Sequence, residues 1–291
     1  MTRIKLLTLN LATSSDAART DTRKGTDMEL NTEKMIGEKE GGIGWMTFNN
    51  PERRNAMALE MWEAVETILD EFESNNEIKV IVMKGAGDKA FVSGADISEF
   101  KERRNNAEAA AEYARISEGA RARLMAVKKP LIAMIQGYCL GGGMAVAMAA
   151  DMRFASDDSQ FGIPAARLSI AYGFDGLHKL VHLVGPAMAS EIMFTARRVS
   201  PEEAQKIGLI NRAVPIDELE PAVREVADGI CRNAPLSIAA SKYTIGQILT
   251  DKEDRDYDEI KRLSQICFDS SDYKEGREAF MEKRSPVFTG S

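Results

Sequence analysis

The sequence predicts an α/β fold followed by a purely helical C-terminal part, on three observations. Short apolar runs alternate with longer stretches of helical spacing through the first two thirds of the chain, the pattern of βαβ units and a mainly parallel sheet. Two glycine loops each follow such an apolar run. Beyond Leu219 the signals are helical only. In order, Gly44 to Phe48 reads as a strand closed by Asn49-Asn50-Pro51. Leu59 to Phe72 reads as a helix, with Leu59, Trp62, Val65, Ile68, Leu69 and Phe72 at helical spacing, and Val80 to Met83 as a short buried strand. A loop through Gly94 follows, then a helix from about Ser98 or later to Val127, a strand from Leu131 to Ile135 and a helix from about Gly142 to Ala150. Ser200-Pro201-Glu202-Glu203 is a strong helix start, with Ser at the N-cap, Pro at N1 and Glu at N3. The domain organisation expected is a mobile N-terminal arm over 1–32, rich in Thr, Ser, Asp and Arg, then an α/β core over 33–215 and a helical region over 216–291.

Composition narrows the function classes. The 291 residues carry 45 Asp+Glu against 38 Lys+Arg, a net charge of −7, which disfavours nucleic acid as a partner because such a footprint needs surplus Lys and Arg. No apolar run approaches the ~18 residues of a membrane span, so no membrane partner is expected. The opening MTRIKLLTLNLATSS pairs a basic residue with an apolar stretch, but Thr and Asn break it and no small-residue cleavage site follows. Cys139, Cys231 and Cys267 lie far apart without a CxxC, which argues against a disulfide framework and a zinc ribbon and makes a reducing cytoplasm the default.

The glycine loops carry the chemistry. Gly137-Tyr138-Cys139-Leu140-Gly141-Gly142-Gly143 lies between a buried strand and a helix. Adjacent glycines admit a ligand close to the backbone, and the helix start offers unpaired N–H groups to an anion or a developing oxyanion. A dinucleotide fingerprint counted from Gly141 requires glycine where Val146 stands. The second loop, Ala90-Phe91-Val92-Ser93-Gly94-Ala95-Asp96, also follows a strand, and Asp96 is placed to cap the next helix. Loops at the carboxyl ends of parallel strands converge on ligands. His178 and His182, four apart, share a helix face without a third ligand nearby, so no metal is expected. Cys139 reads as a small apolar packing residue.

The segments Asn50-Pro51 through Asn55-Ala56, FVSGADISEF, GYCLGGGMAVAM and FGIP, in this order and spacing, resemble the enoyl-CoA hydratase/isomerase (crotonase) superfamily from about Glu33 to Phe288. The resemblance implies a crotonase-like spiral of ββα turns in two nearly perpendicular sheets, a helical C-terminal trimerisation region, and acyl-CoA thioester substrates, with CoA entering as part of the substrate and no separate cofactor. It implies a homotrimer or a dimer of trimers. Carried over by position, the oxyanion hole is the N–H of Ala95 and of Gly142, with Gly141 alongside. Hydratases of the family carry glutamates where this chain has Ala145 and Ala165. Water addition needs a base and an acid, each worth about 10² to 10⁴-fold, and alanine supplies neither.

The run Leu168 to His178 is most similar, within the superfamily, to methylmalonyl-CoA decarboxylase, which has a tyrosine at the place of Tyr172 and a histidine at that of His178; Asp269 to Phe288 is similar too. That enzyme has a histidine where this chain has Ala95. Decarboxylation generates an enolate without a strong base, so a malonyl-type-CoA decarboxylase is one expectation. A hydratase/isomerase with a re-sited acid/base and a non-catalytic acyl-CoA-binding protein are the alternatives. Tyr172 is a catalytic candidate; Asp175 is either an N-cap before the helical run Gly176 to Val184 or a catalytic carboxylate. Arg167 is a candidate partner for a substrate carboxylate. By the resemblance, Arg53 or Arg54 beside Ala56 meets the CoA phosphates or adenine, and Phe280 and Lys283 form the FxxK pattern that covers the adenine of a neighbouring subunit.

Overall fold

A computed structural model describes residues 25–96 and 107–291. Two sheets organise the core. The larger has seven strands: β1 (Thr26–Asp27), β2 (Met35–Glu40), β3 (Ile43–Phe48), β4 (Val80–Gly85), β6 (Leu131–Ile135), β8 (Met152–Ser156) and β10 (Arg212–Val214), hydrogen-bonded in that order. The smaller joins β5 (Ala90–Val92), β7 (Tyr138–Leu140) and β9 (Gln160–Gly162) in parallel. Only the β1–β2–β3 edge is antiparallel; from β3 onward every pairing is parallel, with Ile43 opposite Val80 and Ile81 opposite Leu131.

The helices are α1 (Leu59–Ser74), α2 (Ala107–Met125), α3 (Gly142–Ala149), α4 (Phe174–Thr195), α5 (Pro201–Lys206), α6 (Ile216–Cys231), α7 (Pro235–Ile248), α8 (Tyr257–Asp269) and α9 (Ser271–Glu282). The larger sheet is covered on both faces, so its central strands read as unbroken apolar runs. Side chains alternate between two clusters: Ile43, Trp45, Val80, Val82 and Ile132 pack under Leu219, Val223 and Ala227 of α6. Met46, Phe48, Ile81, Met83 and Leu131 pack under α1, which buries Met61, Trp62, Val65, Ile68, Leu69 and Phe72 at helical spacing. Leu69 is fully buried, and truncating such a side chain to alanine costs about 2–5 kcal/mol.

The expected strands and helices fall within a few residues of the observed elements, except that the run expected over Gly176 to Val184 continues past a break at Gly185 to Thr195, and α5 begins with Ser200 accepting from the Glu203 N–H. The expected start of the Val127 helix and the capping role of Asp96 concern residues 97–106, outside those described. The arm needs correction at its inner end. Thr26 and Asp27 pair with Lys39 and Glu38, Met28 packs on the core, and the Thr32 hydroxyl donates to Glu60 at 2.6 Å, so residues 26–32 belong to the core's edge. Residues 1–24 lie outside the described part. Among the described residues no helix is long and apolar enough to cross a membrane.

Candidate active site

Two buried asparagines shape the loop that enters α1. The Asn55 side chain accepts from the Asn50 N–H (2.9 Å) and donates to the carbonyls of Ala86 (2.9 Å) and Ala90 (2.7 Å), while Asn50 donates to the Ala56 carbonyl at 3.1 Å. The loop is thereby fastened to β5, and its next residue pairs with the strand's continuation. The Met57 N–H donates to the Gly94 carbonyl (2.8 Å) and the Asp96 N–H to the Met57 carbonyl (3.0 Å). In a parallel bridge of this kind the residue between the two bonds turns its own N–H to the opposite side. That residue is Ala95.

The opposite side is occupied by the start of α3. Gly141, at φ 55° and ψ −113°, turns the chain from β7 into the helix and donates to the Gly162 carbonyl at 2.8 Å. Gly143 must lack a side chain: a Cβ there would stand 1.9 Å from the Val92 carbonyl oxygen. This close approach sets Gly142 beside the other loop, where an added Cβ would be 3.6 Å from Gly94 Cα and 3.8 Å from the Ala95 nitrogen. Gly142 is the first residue of α3, so its N–H has no intrahelical acceptor. Among the described residues no backbone carbonyl takes the N–H of Ala95 or of Gly142. The structure therefore brings together two unpaired donors, one at a helix N-terminus, at a point where Ala95 is exposed. Such a pair suits an oxygen acquiring negative charge.

Ala145 lies half-buried in the first turn of α3, and Ala165 is buried in the short 3₁₀ turn Pro164–Leu168. Tyr172 is packed against the main core, and its hydroxyl is buried without a hydrogen-bond partner among the described residues. Burial, and then the neighbouring Cys139, push the phenol's pKa well up, so it keeps its proton at neutral pH. Cys139 is itself fully buried, its thiol 3.9 Å from the Met144 sulfur and also pushed up by burial, in keeping with the packing role read from its sequence position.

Asp175 is not an N-cap. Gly173 occupies that position and Asp175 is exposed in the first turn of α4, without a hydrogen-bond partner among the described residues. A carboxylate there complements the helix dipole equally well. His178 stacks between Phe174 (5.7 Å) and His182 (4.1 Å), and His182 Nδ1 lies 2.8 Å from the His178 carbonyl. Arg167 is exposed. Arg53 and Arg54 are exposed beside the Ala95 loop: the Ser93 N–H donates to the Arg54 carbonyl at 3.2 Å, and Ala56 is buried next to them. The Arg54 guanidinium sits over the Tyr138 ring at 5.4 Å. Phe280 is 85% exposed on α9 and Lys283 ends that helix at φ 55°, far along the chain from the two loops.

Sequence reasoning did not single out Gly143, whose missing side chain closes the site, although three successive glycines were the visible signal. It also passed over Asp151, Arg153, Lys179 and Lys242, which nothing in their local sequence marks as a group.

The fold and the paired donors define a protein of the crotonase kind, and the comparisons agree. Residues 38–291 match the family described as enoyl-CoA hydratase/isomerase. The chain belongs to that family. The short-chain-enoyl-CoA hydratase of Clostridium acetobutylicum is 37% identical over 257 residues, covering 88% of this chain and 97% of that protein. The crotonyl-CoA hydratase of Syntrophomonas wolfei is 35% identical over 260 residues, covering 88% and 98%. Among solved structures, an enoyl-CoA hydratase/carnithine racemase from Magnetospirillum magneticum is similar with a TM-score of 0.84 at 33% identity, covering 89% of this chain and 97% of that one. The protein is an enoyl-CoA hydratase/isomerase-like enzyme acting on acyl-CoA.

Proposed function

We propose that the chain holds an acyl-CoA thioester with its carbonyl oxygen between the N–H groups of Ala95 and Gly142, and that its reaction is decarboxylation of a malonyl-type thioester. The observation that carries this reading is the pair of donors without a backbone acceptor among the described residues, joined to Ala145 and Ala165, which stand where the resemblance implies a hydratase's glutamates. In the reaction the bond from the α-carbon to the substrate carboxylate breaks, CO₂ leaves, and the electron pair moves into the thioester as an enolate. The two N–H groups stabilise that oxyanion; removing one such donor elsewhere costs about 10² to 10³-fold in rate. The α-carbon then takes a proton from solvent water, so that CO₂ and the shortened acyl-CoA are the products. Tyr172, protonated and otherwise unpartnered, is the group we assign to donate a hydrogen bond to the reacting acyl group. CoA enters as part of the substrate, with Arg53 or Arg54, Ala56 and Gly141 along its path. Phe280 and Lys283 are proposed to serve the adenine of a neighbouring protomer in a trimer or a dimer of trimers.

A second reading has one specific support: the relatives from Clostridium acetobutylicum and Syntrophomonas wolfei are named as hydratases. Under it, Tyr172 or Asp175 replaces a missing glutamate. A mass-spectrometric screen of acyl-CoA thioesters separates the two. Decarboxylation of malonyl or methylmalonyl thioesters with hydration of crotonyl-CoA several orders of magnitude below a competent hydratase is the expected result. Rapid crotonyl-CoA hydration would replace the decarboxylase reading with a re-sited hydratase, and turnover of no thioester would leave an acyl-CoA-binding protein.

A further inference from the structure

At the end of α3 opposite Gly142 lies a cavity of about 900 Å³ between that helix, α4 and α7. Met148 and Ala149 of α3 line it, six and seven residues from Gly142, so it stands about 10 Å along the helix from the proposed thioester site. Its volume is in the range that holds small ligands.

One part of its lining is cationic. Lys179, Arg153 and Lys242 meet there around a single carboxylate, Asp151. That carboxylate is already engaged: Asp151 Oδ2 accepts from the Leu131 N–H at 2.7 Å and from Lys242 Nζ at 2.7 Å. Among the described residues the buried Arg153 guanidinium donates only to backbone carbonyls, Leu209 at 2.8 Å and Ala150 at 2.5 Å. Burial pushes it down to about 10, so it remains charged at neutral pH. Lys179 is half-buried and has no hydrogen-bond or ion-pair partner among the described residues. Burial lowers its pKa first, with Arg153 and Lys242 acting in the same direction and Asp151 against them. Three cations thus face one carboxylate.

The rest of the wall is largely apolar. On α7, Ile238, Ile245 and Leu249 share a stripe with Lys242 at helical spacing, and Met148 and Leu183 also line the cavity. A bare inorganic anion would leave this stripe in water, and an uncharged hydrocarbon would leave Lys179 unpaired in a half-buried setting. An amphipathic anion satisfies both. From Lys242 to Leu249 is seven residues, about 10 Å, the length of roughly eight extended carbons.

We propose that this cavity is a second ligand site, which binds a straight-chain carboxylate of about eight carbons with its carboxylate at Lys179 and its alkyl chain along Ile245 and Leu249. The inference stands apart from the reading of the thioester site.

Calorimetric titration of the full chain with octanoate tests it. Octanoate is expected to bind saturably, one per chain, with acetate at least tenfold weaker. Lys179→Met should weaken octanoate tenfold or more, as loss of a charge-assisted hydrogen bond does, and Lys179→Arg should restore it. Ile245→Trp, which fills the alkyl path, should weaken octanoate independently of the charge. Gly142→Pro should leave octanoate binding unchanged, since it alters only the thioester site. Absence of saturable binding, equal affinity for acetate and octanoate, or wild-type affinity in both folded Lys179→Met and Ile245→Trp proteins would overturn the proposal. So would loss of octanoate binding in Gly142→Pro, which would place the ligand at the oxyanion donors.

Discussion

Gly143→Ala tests how the proposed oxyanion donors are held, with a single methyl group and no loss of any hydrogen-bonding atom. The added Cβ would lie 1.9 Å from the Val92 carbonyl oxygen and 2.7 Å from its carbon. Both are backbone atoms, so no side-chain rotation relieves the contact. Restoring a tolerable separation of about 3 Å requires α3 and β5 to part by about 1 Å. Overpacking costs typically about 1–3 kcal/mol, and a backbone clash belongs at the upper end. The same movement carries Gly142 away from Ala95, and a displacement of about 1 Å in a reacting geometry costs about a hundredfold in rate. The expected result is a folded protein with a lower melting temperature and kcat on its acyl-CoA substrate down by about two orders of magnitude. Gly229→Ala, in the last turn of α6 with no heavy atom closer than 4.0 Å to the added carbon among those outside the helix's own backbone, serves as control. It should raise stability by about 0.4–1 kcal/mol and leave kcat alone. Unchanged melting and kcat in Gly143→Ala would refute the argument that the Val92 contact sets the spacing of the donors.

Gly142→Pro deletes one donor at the first helical position, where proline is well accommodated; turnover should fall by about 10² to 10³-fold while the circular dichroism spectrum is retained, and full activity would remove Gly142 from the oxyanion hole. Tyr172→Phe removes a buried hydroxyl that has no partner among the described residues, so the melting temperature should hold or rise, because an unsatisfied buried polar group costs about 1–3 kcal/mol. Turnover should nevertheless drop about tenfold, the upper end of one hydrogen bond's net contribution, and unchanged kinetics would make the tyrosine a packing residue. Glu275 accepts a bidentate bond from Arg284 and one from the Val287 N–H, which hold its carboxyl down at about 2. A carboxylate depressed on folding stabilises the protein above its unfolded pKa of about 4.3 and loses that contribution as pH falls toward 2. Acid denaturation of Glu275→Gln should therefore be less steep between about pH 4.5 and 2, and a superimposable acid transition would sink the assignment.

The sequence was most readable where one physical requirement dominates. Leu131 to Ile135 has to be buried on both faces, and its apolar run says so without help from elsewhere. Gly141 to Gly143 has to let backbone meet backbone, and glycine is the residue for that. The reading failed where two requirements share a segment. Tyr138–Leu140 is a strand of three residues between glycines, and a turn accounts for the same letters. Met35–Glu40 is a strand next to the sheet edge whose charged residues hide its alternation. In α4 the backbone breaks at Gly185 (φ 76°) ahead of Pro186 and the helix then resumes, so a kink read as an end at Val184. Aspartate favours the N-cap, which is one of the two roles the sequence allows Asp175; Gly173 holds that place in extended conformation, and the aspartate two residues later serves the dipole instead.

The same distinction explains what the candidate site discloses about chemistry. Its donors are backbone N–H groups, fixed by steric rules that glycine and the Met57–Ala95 bridge express locally, so they can be located residue by residue. Any acid/base function depends on side chains brought from separate segments, and Ala145 and Ala165 supply none. Tyr172 gains its interest from tertiary structure: an unpartnered hydroxyl, held protonated by burial beside Cys139, at the end of a segment that sequence alone leaves as a loop. Lys179 follows the same logic at the second cavity, where its meaning comes from Arg153 and Lys242, distant in sequence and adjacent in space. Groups whose role is set by neighbours of opposite or like charge leave no periodic trace, and only the assembled fold puts them side by side.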